Sequence, residues 1–306
     1  CENLNPTNCD SATITVNVTA PPIVANPDTA TGINGLVGAT GVVNVLTNDT
    51  LNGVPVSLAT VVITTVVPAT PIGGGPVPVL NPATGLVDVP ANTPAGTYTI
   101  SYTICDQLNP TNCSTSTVTI TVAAAVIVST PATASGTNGL VGATGVVNAY
   151  TNDTLNGAPV NPAAITGTVV TPATPIGGGP VPVLNPATGL VDVPAGTPAG
   201  VYTITYRICE NLNPTNCGTT TITVTVDAAV IDAVVDTFGP VNGASGSANV
   251  GNAYTNDTLN GVAVVVANIT GTVLVPATPI GANPVPVLDP ATGVVSVPVG
   301  TPAGAY

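Results

Sequence analysis

Apolar and hydroxyl-bearing residues alternate one for one along two stretches of the chain, 201–209 and 219–226. In the first, Tyr202, Ile204, Tyr206 and Ile208 share one face, and Thr203, Thr205, Arg207 and Cys209 share the other. In the second, Ile222, Val224 and Val226 alternate with Thr221, Thr223 and Thr225. A period of two belongs to a strand, and the apolar set must face a core. Five more strands are predicted upstream, at 124–130, 145–151, 164–171, 180–184 and 190–193. Turn-forming clusters separate them: Asn-Asp-Thr-Leu-Asn-Gly at 152–157, Ile-Gly-Gly-Gly-Pro at 176–180, Asn-Pro-Ala-Thr-Gly at 185–189 and Thr-Pro-Ala-Gly at 197–200. No stretch keeps a helical apolar period over three turns. Seven short strands within about 100 residues predict an all-β fold, an immunoglobulin-like sandwich.

The pattern returns with a period of 104 residues: the first Cys of each Cys-x7-Cys pair stands at 1, 105 and 209. Such an array is a structural device that spaces, stiffens or displays something. With the boundary placed after Val122, residues 1–18 are the C-terminal hairpin of a preceding repeat. Residues 19–122 and 123–226 are Ig-like repeats, and 227–306 is a truncated one. Tyr306 corresponds to Tyr98 and Tyr202, inside the sixth strand, and the chain opens within a repeat. The expectation is therefore an artificial end at Tyr306, with a Cys-x7-Cys hairpin following in the parent chain. The competing expectation is strand donation, in which residues 1–18 of another molecule complete the third repeat. Those residues supply only the hairpin loop and the seventh strand. The linkers, Ala123-Ala-Ala and Asp227-Ala-Ala, contain no flexible spacer. The sandwiches should sit end to end as a rod, each adding about 30–40 Å.

Composition narrows the function. Charged residues make up 5% of the chain, yet the net charge is −13 and Arg207 is the sole basic side chain. Nothing can neutralise phosphates, so nucleic acid and anionic membrane surfaces are excluded as partners. No apolar run is long enough for direct membrane insertion of this segment. With no His or Lys the ordinary general bases are missing, and Asp88 and Asp192 give way to Ser296 in the third repeat. The expectation is no enzymatic activity and no catalytic residues. The missing Lys also excludes Lys–Asn isopeptide cross-links.

The six cysteines read as three local disulfides, Cys1 with Cys9, Cys105 with Cys113 and Cys209 with Cys217, in an oxidising compartment. Zinc would need further ligands that the repeat does not contain. Both cysteines of a pair fall in the solvent-side register, so each bridge should close the base of a seven-residue hairpin loop, contributing about 2–3 kcal/mol. No cofactor is implied, except that calcium could bind oxygen ligands at Asp28, Asn48 and Asp49. The rival reading makes these turn residues, as with Asn152, Asp153, Asn256 and Asp257, and Asp28 becomes Ala132 before returning as Asp236. Pro198 to Tyr202 has the form of a tyrosine corner, repeated at Tyr98 and Tyr306. The alternative is a simple inward-facing aromatic.

The Asn-Asp-Thr-Leu-Asn-Gly turn, the Asn-Pro-Ala-Thr-Gly hairpin, the Thr-Pro-Ala-Gly-x-Tyr-Thr-Ile-x-Tyr strand and the Cys-Glu-Asn-Leu-Asn-Pro-Thr-Asn-Cys loop together resemble the immunoglobulin-like repeat arrays of Bacteroidetes giant cell-surface adhesins, including gliding-motility adhesins. The resemblance covers the whole chain. It implies an extracellular protein on a bacterial cell surface, exported by type 9 secretion, with this segment as stalk or filament. Its partners would be adjacent repeats of the same chain, with lateral or head-to-tail self-association as a further expectation. The alternatives are a carbohydrate- or calcium-binding module array, or the spacer of a secreted polysaccharide-degrading enzyme. Asp-Ser/Thr followed by an apolar residue resembles the O-glycosylation sequon of such secreted proteins. It marks Thr50, Thr154, Thr258, Ser11 and Thr29. The turn propensity of Asp-Thr explains the same spacing.

Overall fold

The computed structural model describes residues 1–306, the Thr65 side chain excepted. The two alternating stretches of repeat two pair with each other, antiparallel, and the apolar faces coincide: Tyr202 lies opposite Val224, and Ile204 opposite Ile222. Repeat two has seven principal strands: β1 (Ala132–Asn138), β2 (Ala143–Asn148), β3 (Ile165–Thr171), β4 (Val183–Leu184), β5 (Leu190–Val193), β6 (Gly200–Glu210) and β7 (Cys217–Asp227). One sheet runs β1-β7-β6-β3 and the other β2-β5-β4. β1 lies parallel to β7, so the first strand covers the edge of the last. Tyr202, Ile204, Tyr206, Ile208, Ile222, Val224 and Val226 from the first sheet meet Leu184, Val191 and Val193 from the second in one buried core. This is the aligned sandwich expected from strands that are apolar on one face only. The fold is all-β, in tandem repeats.

Strands β6 and β7 coincide with the two alternating stretches, and β3 and β5 with the strands predicted at 164–171 and 190–193. The predicted strand at 124–130 is corrected. Only Ile127–Val128 pairs there, with Thr154–Leu155. The backbone then breaks at Thr130, whose N–H donates to Asp153 Oδ1 at 2.7 Å, and at Pro131, which has no N–H to give. The chain resumes as β1, a strand of small and polar residues with Gly136 at φ 79°. It carries no apolar alternation to read. The stretch 145–151 is likewise corrected to β2, and 180–184 to the two residues of β4. A small ribbon pairs Thr154–Leu155 with Ala158–Pro159 through the two-residue turn Asn156-Gly157, both at positive φ. Such a turn matches the twist of a tight hairpin.

Repeat one repeats this plan, with sheet order Asp28–Asn34, Cys113–Ala123, Gly96–Asp106, Val61–Val67. In the third repeat the sheet of Ser247–Asn252, Val294–Val297 and Val287–Leu288 forms. The four-stranded sheet does not. Its two central strands, the counterparts of β6 and β7, have no residues among the 306 beyond the position of Tyr202, so its flanking segments have nothing to pair with. Residues 1–22 form no strand and are exposed almost throughout.

Candidate functional site

The Cys-x7-Cys loop of repeat two reaches out of its own sandwich and grips its neighbour. β6 and β7 deliver Cys209 and Cys217 directly opposite each other, and the structure joins them. Cys1 is joined to Cys9, and Cys105 to Cys113. The sequence register puts both cysteines of a pair on the solvent side. Cys113 and Cys217 are exposed, but Cys105 is buried, its sulfur 3.4 Å from Thr64 Oγ1, and Cys209 is half-buried. Inside the loop Glu210 N–H donates to the Asn216 carbonyl at 3.0 Å, and Asn216 N–H to the Asn213 carbonyl at 2.8 Å. The loop of 1–9 makes the same two bonds with no sandwich around it, Glu2 to Asn8 at 2.9 Å and Asn8 to Asn5 at 2.8 Å. Its shape is therefore local, set by its own sequence.

From that frame three side chains reach across. Asn213 Oδ1 accepts the Ala95 N–H of repeat one at 2.7 Å. Asn216 Nδ2 donates to the carbonyl of linker residue Ala125 at 2.7 Å, and Glu210 Oε2 accepts the Ala125 N–H at 3.2 Å. An open crevice of about 590 Å³ lies beneath, lined by Ile72, Gly73, Pro94, Ala95 and Ala124 on one side and 211–216 on the other.

A second contact recurs at both joints. Asn34 Nδ2 donates to Asn156 Oδ1 at 2.7 Å, and 104 residues later Asn138 Nδ2 donates to Asn260 Oδ1 at 2.9 Å. Each acceptor oxygen also takes a backbone N–H from the residue just past the linker, Val126 and Val230, both at 2.9 Å. Asn156 and Asn260 hold positive φ, which Asn tolerates better than most residues, so the turn itself aims the amide at the preceding repeat. Leu36 of repeat one packs against the core of repeat two. The sequence reading missed these asparagines. The Asn-Gly dipeptide was the available signal for the turn, but nothing local announces its partner 122 residues away.

The calcium candidates separate. Asp28 and Asp49 are both buried and converge on Tyr102, whose hydroxyl lies 3.0 Å from Asp28 Oδ2, 3.4 Å from Asp49 Oδ2, 3.0 Å from the Val45 carbonyl and 3.1 Å from that of Asn26. Asn48 does not join them; its amide donates to the Pro27 carbonyl at 3.0 Å. A hydroxyl has one proton to give, so four oxygens compete for it. Burial, assisted by the Asp49 charge and opposed by the Tyr102 hydrogen bond, pushes the Asp28 carboxyl up to about 6. Burial also raises Asp49, against hydrogen bonds from Asn26 N–H and Tyr102. In repeat two Ala132 replaces Asp28, and Tyr206 donates to Asp153 Oδ2 and to the Ala149 carbonyl, both at 2.8 Å. Asp49, Asp153 and Asp257 play the same structural part in successive repeats. Each accepts the N–H of the first segment, from Asn26, Thr130 and Val234 at 2.7, 2.7 and 2.8 Å. Among the described residues no three His, Cys, Asp or Glu side chains gather as a metal cluster.

Thr50, Thr154 and Thr258 sit in the two-residue strands of the small ribbons and are half-buried as residues. Ser11 and Thr29 are exposed. The tyrosine corner has both of its suggested characters: Tyr98, Tyr202 and Tyr306 donate to the carbonyls of Pro94, Pro198 and Pro302 at 2.8, 2.7 and 2.9 Å, and the first two rings are buried.

No protein-family model matches the chain, and no curated protein matches it. Among solved structures, human CDH23 EC21-23 is 12% identical with a TM-score of 0.30, covering 92% of this chain and 91% of that one. Human Protocadherin-24 EC1-2 is 13% identical with a TM-score of 0.29, covering 68% and 98%. Protocadherin Gamma B2 extracellular cadherin domains 3-6 is 10% identical with a TM-score of 0.29, covering 68% of this chain and 52%, about half, of that one.

Proposed function

We propose that the chain is a structural segment of an extracellular stalk or filament, in which stiff sandwiches in series project a tip or build a fibre. The observation that carries this reading is a contact shared by the two joints: Asn34 to Asn156 and Asn138 to Asn260 are the same pair, 104 residues apart. A contact that repeats with the sequence period ties successive repeats together at the same place. Serial attachment of this kind is what a spacer needs. The work is mechanical, and no reaction is assigned to it. Three disulfides support a location outside the cytosol. The loop and turn motifs support the finer reading, a Bacteroidetes surface adhesin of the gliding-motility type exported by type 9 secretion, with adjacent repeats as the partners.

Small-angle scattering on chains of two, three and four complete repeats tests the stalk. The maximum dimension should rise by a constant increment of about 30–40 Å per repeat. An increment that shrinks with repeat number would mean that the joints bend freely, and the stalk reading would fail. Immunolabelling of intact host cells tests the surface location; signal only after permeabilisation would overturn it.

A further inference from the structure

We propose that the disulfide-closed loop is a recognition surface for the end of the preceding repeat, and that its first residue is matched to the linker it grips. The two complete repeats carry different versions of this pair. In repeat two the loop begins with Glu210 and the linker residue is Ala125, whose N–H donates to Glu210 Oε2. In repeat one the counterparts are Asp106 and Pro21. Proline has no N–H, so a long acid there would have nothing to bind. The shorter Asp106 instead turns back into its own loop, accepting Leu108 N–H at 2.9 Å and Asn109 Nδ2 at 2.7 Å. The second contact is kept in both, because it needs only a carbonyl: Asn112 donates to Pro21 and Asn216 to Ala125, each at 2.7 Å.

The exchange also changes how the asparagine of the loop is held. Asp106 accepts the Nδ2 end of the Asn109 amide and does not engage its Oδ1. Glu210 does not hold Asn213, whose Oδ1 receives the Ala95 N–H of repeat one. Glu210 Oε1 and Asn213 Nδ2 are left buried without partners. Orphaned polar atoms are costly. The engaged end of Asn213 faces the neighbour, and the engaged Glu210 Oε2 takes both the linker N–H and, at 2.9 Å, Asn216 Nδ2 of its own loop. The local cost is thus tied to the joint. This inference rests on the reading of the chain as a serial array.

The test is amide hydrogen exchange on the whole 306-residue chain, read at Ala95 and Ala125, with the Ile204 and Val224 amides reporting that the sandwich remains folded. N213A should speed exchange at Ala95 about tenfold, the scale of one lost hydrogen bond. A125P removes the matched N–H, places in the second linker the residue that the first one carries, and should speed Ala95 similarly. A125P/E210D recreates the pair of repeat one and should return Ala95 to within about threefold of the parent. C209S/C217S should speed exchange at both amides. If that variant does not fold, the other three stand alone. Unchanged exchange at Ala95 in N213A, or failure of E210D to rescue A125P, overturns the proposal. An Ala95 amide that already exchanges as fast as a free peptide in the parent chain would overturn it too. The serial joint fails on its own readout, a scattering increment that shrinks with repeat number, so the two failures are distinct.

Discussion

The Tyr150 phenol occupies the space that a side chain on Gly167 would need: a Cβ built there collides with the Tyr150 hydroxyl and the Pro186 carbonyl, which are themselves hydrogen-bonded at 2.7 Å. Tyr254 and Gly271 repeat the arrangement, with Tyr254 donating to the Pro290 carbonyl at 2.7 Å. In repeat one the same two positions are Leu46 and Ile63, both buried. The repeats thus fill one space in two ways, a large residue against glycine or two aliphatic residues.

Replacing Gly167 by Ile alone should therefore overpack repeat two and cost about 1–3 kcal/mol. Tyr150→Leu alone should lose a hydrogen bond and open a void, at a cost of about 2–4 kcal/mol. The double change recreates the pair of repeat one and should cost less than either single change. Urea unfolding of the four proteins measures the coupling; additive losses would show that the two positions do not share the space.

The alternation legible in 201–209 and 219–226 identified the two central strands, because their apolar faces are buried on one side only. β1 escaped because Ala132 and Ala134 leave so little apolar contrast with Thr133 and Ser135, and its place in the sheet is set by the long-range parallel pairing with β7. The same limit applied to the site. The cysteine spacing is local and could be read. The targets of Asn213, Glu210 and Asn34 are backbone groups or amides on a different repeat or linker, and only folding brings them within reach.

The carboxyl pair of repeat one makes stability depend on pH. The folded Asp28 pKa lies at about 6, above its ordinary value, so the folded state holds the proton more tightly than the unfolded chain does. The stabilisation is complete below the ordinary carboxylate range and is lost as pH rises through about 6. Repeat one should be more stable at pH 4 than at pH 7, by about 1–2 kcal/mol. Asp28→Ala, which installs the residue that repeat two carries at 132, should reduce that difference; Asp49, also raised, keeps part of it. Unfolding curves at the two pH values check the sign. A parent chain more stable at pH 7 would rule out the shared-proton pair.

Two tyrosines of one strand should respond differently to loss of the hydroxyl. Tyr202→Phe removes a single bond to the Pro198 carbonyl and should cost about 1 kcal/mol. Tyr206→Phe takes a donor from both the Ala149 carbonyl and a buried Asp153 oxygen, and should cost about 2–3 kcal/mol. Equal losses in urea unfolding would mean that Asp153 finds another donor when Tyr206 is gone.

The disulfides of Cys1–Cys9 and Cys105–Cys113 have the same sequence separation of 8 residues but sit in different surroundings. Loop-closure entropy alone gives each about 2–3 kcal/mol of unfolded-state restraint. Only the second bridge is tied to a cooperative unit, joining opposed residues of two core strands. Residues 1–22 form no strand, and Ile14, Val16 and Val18 are 87%, 75% and 89% exposed, so the first bridge restrains a segment outside any core. Cys105→Ser with Cys113→Ser should therefore lower the unfolding free energy of repeat one by about 2–3 kcal/mol, while Cys1→Ser with Cys9→Ser should leave it unchanged. Denaturant unfolding followed by exchange at the Ile100 and Ile120 amides measures both. A loss of stability on removing the first bridge would show that residues 1–20 pack on repeat one in solution, where the structure gives them no hydrogen bond to it.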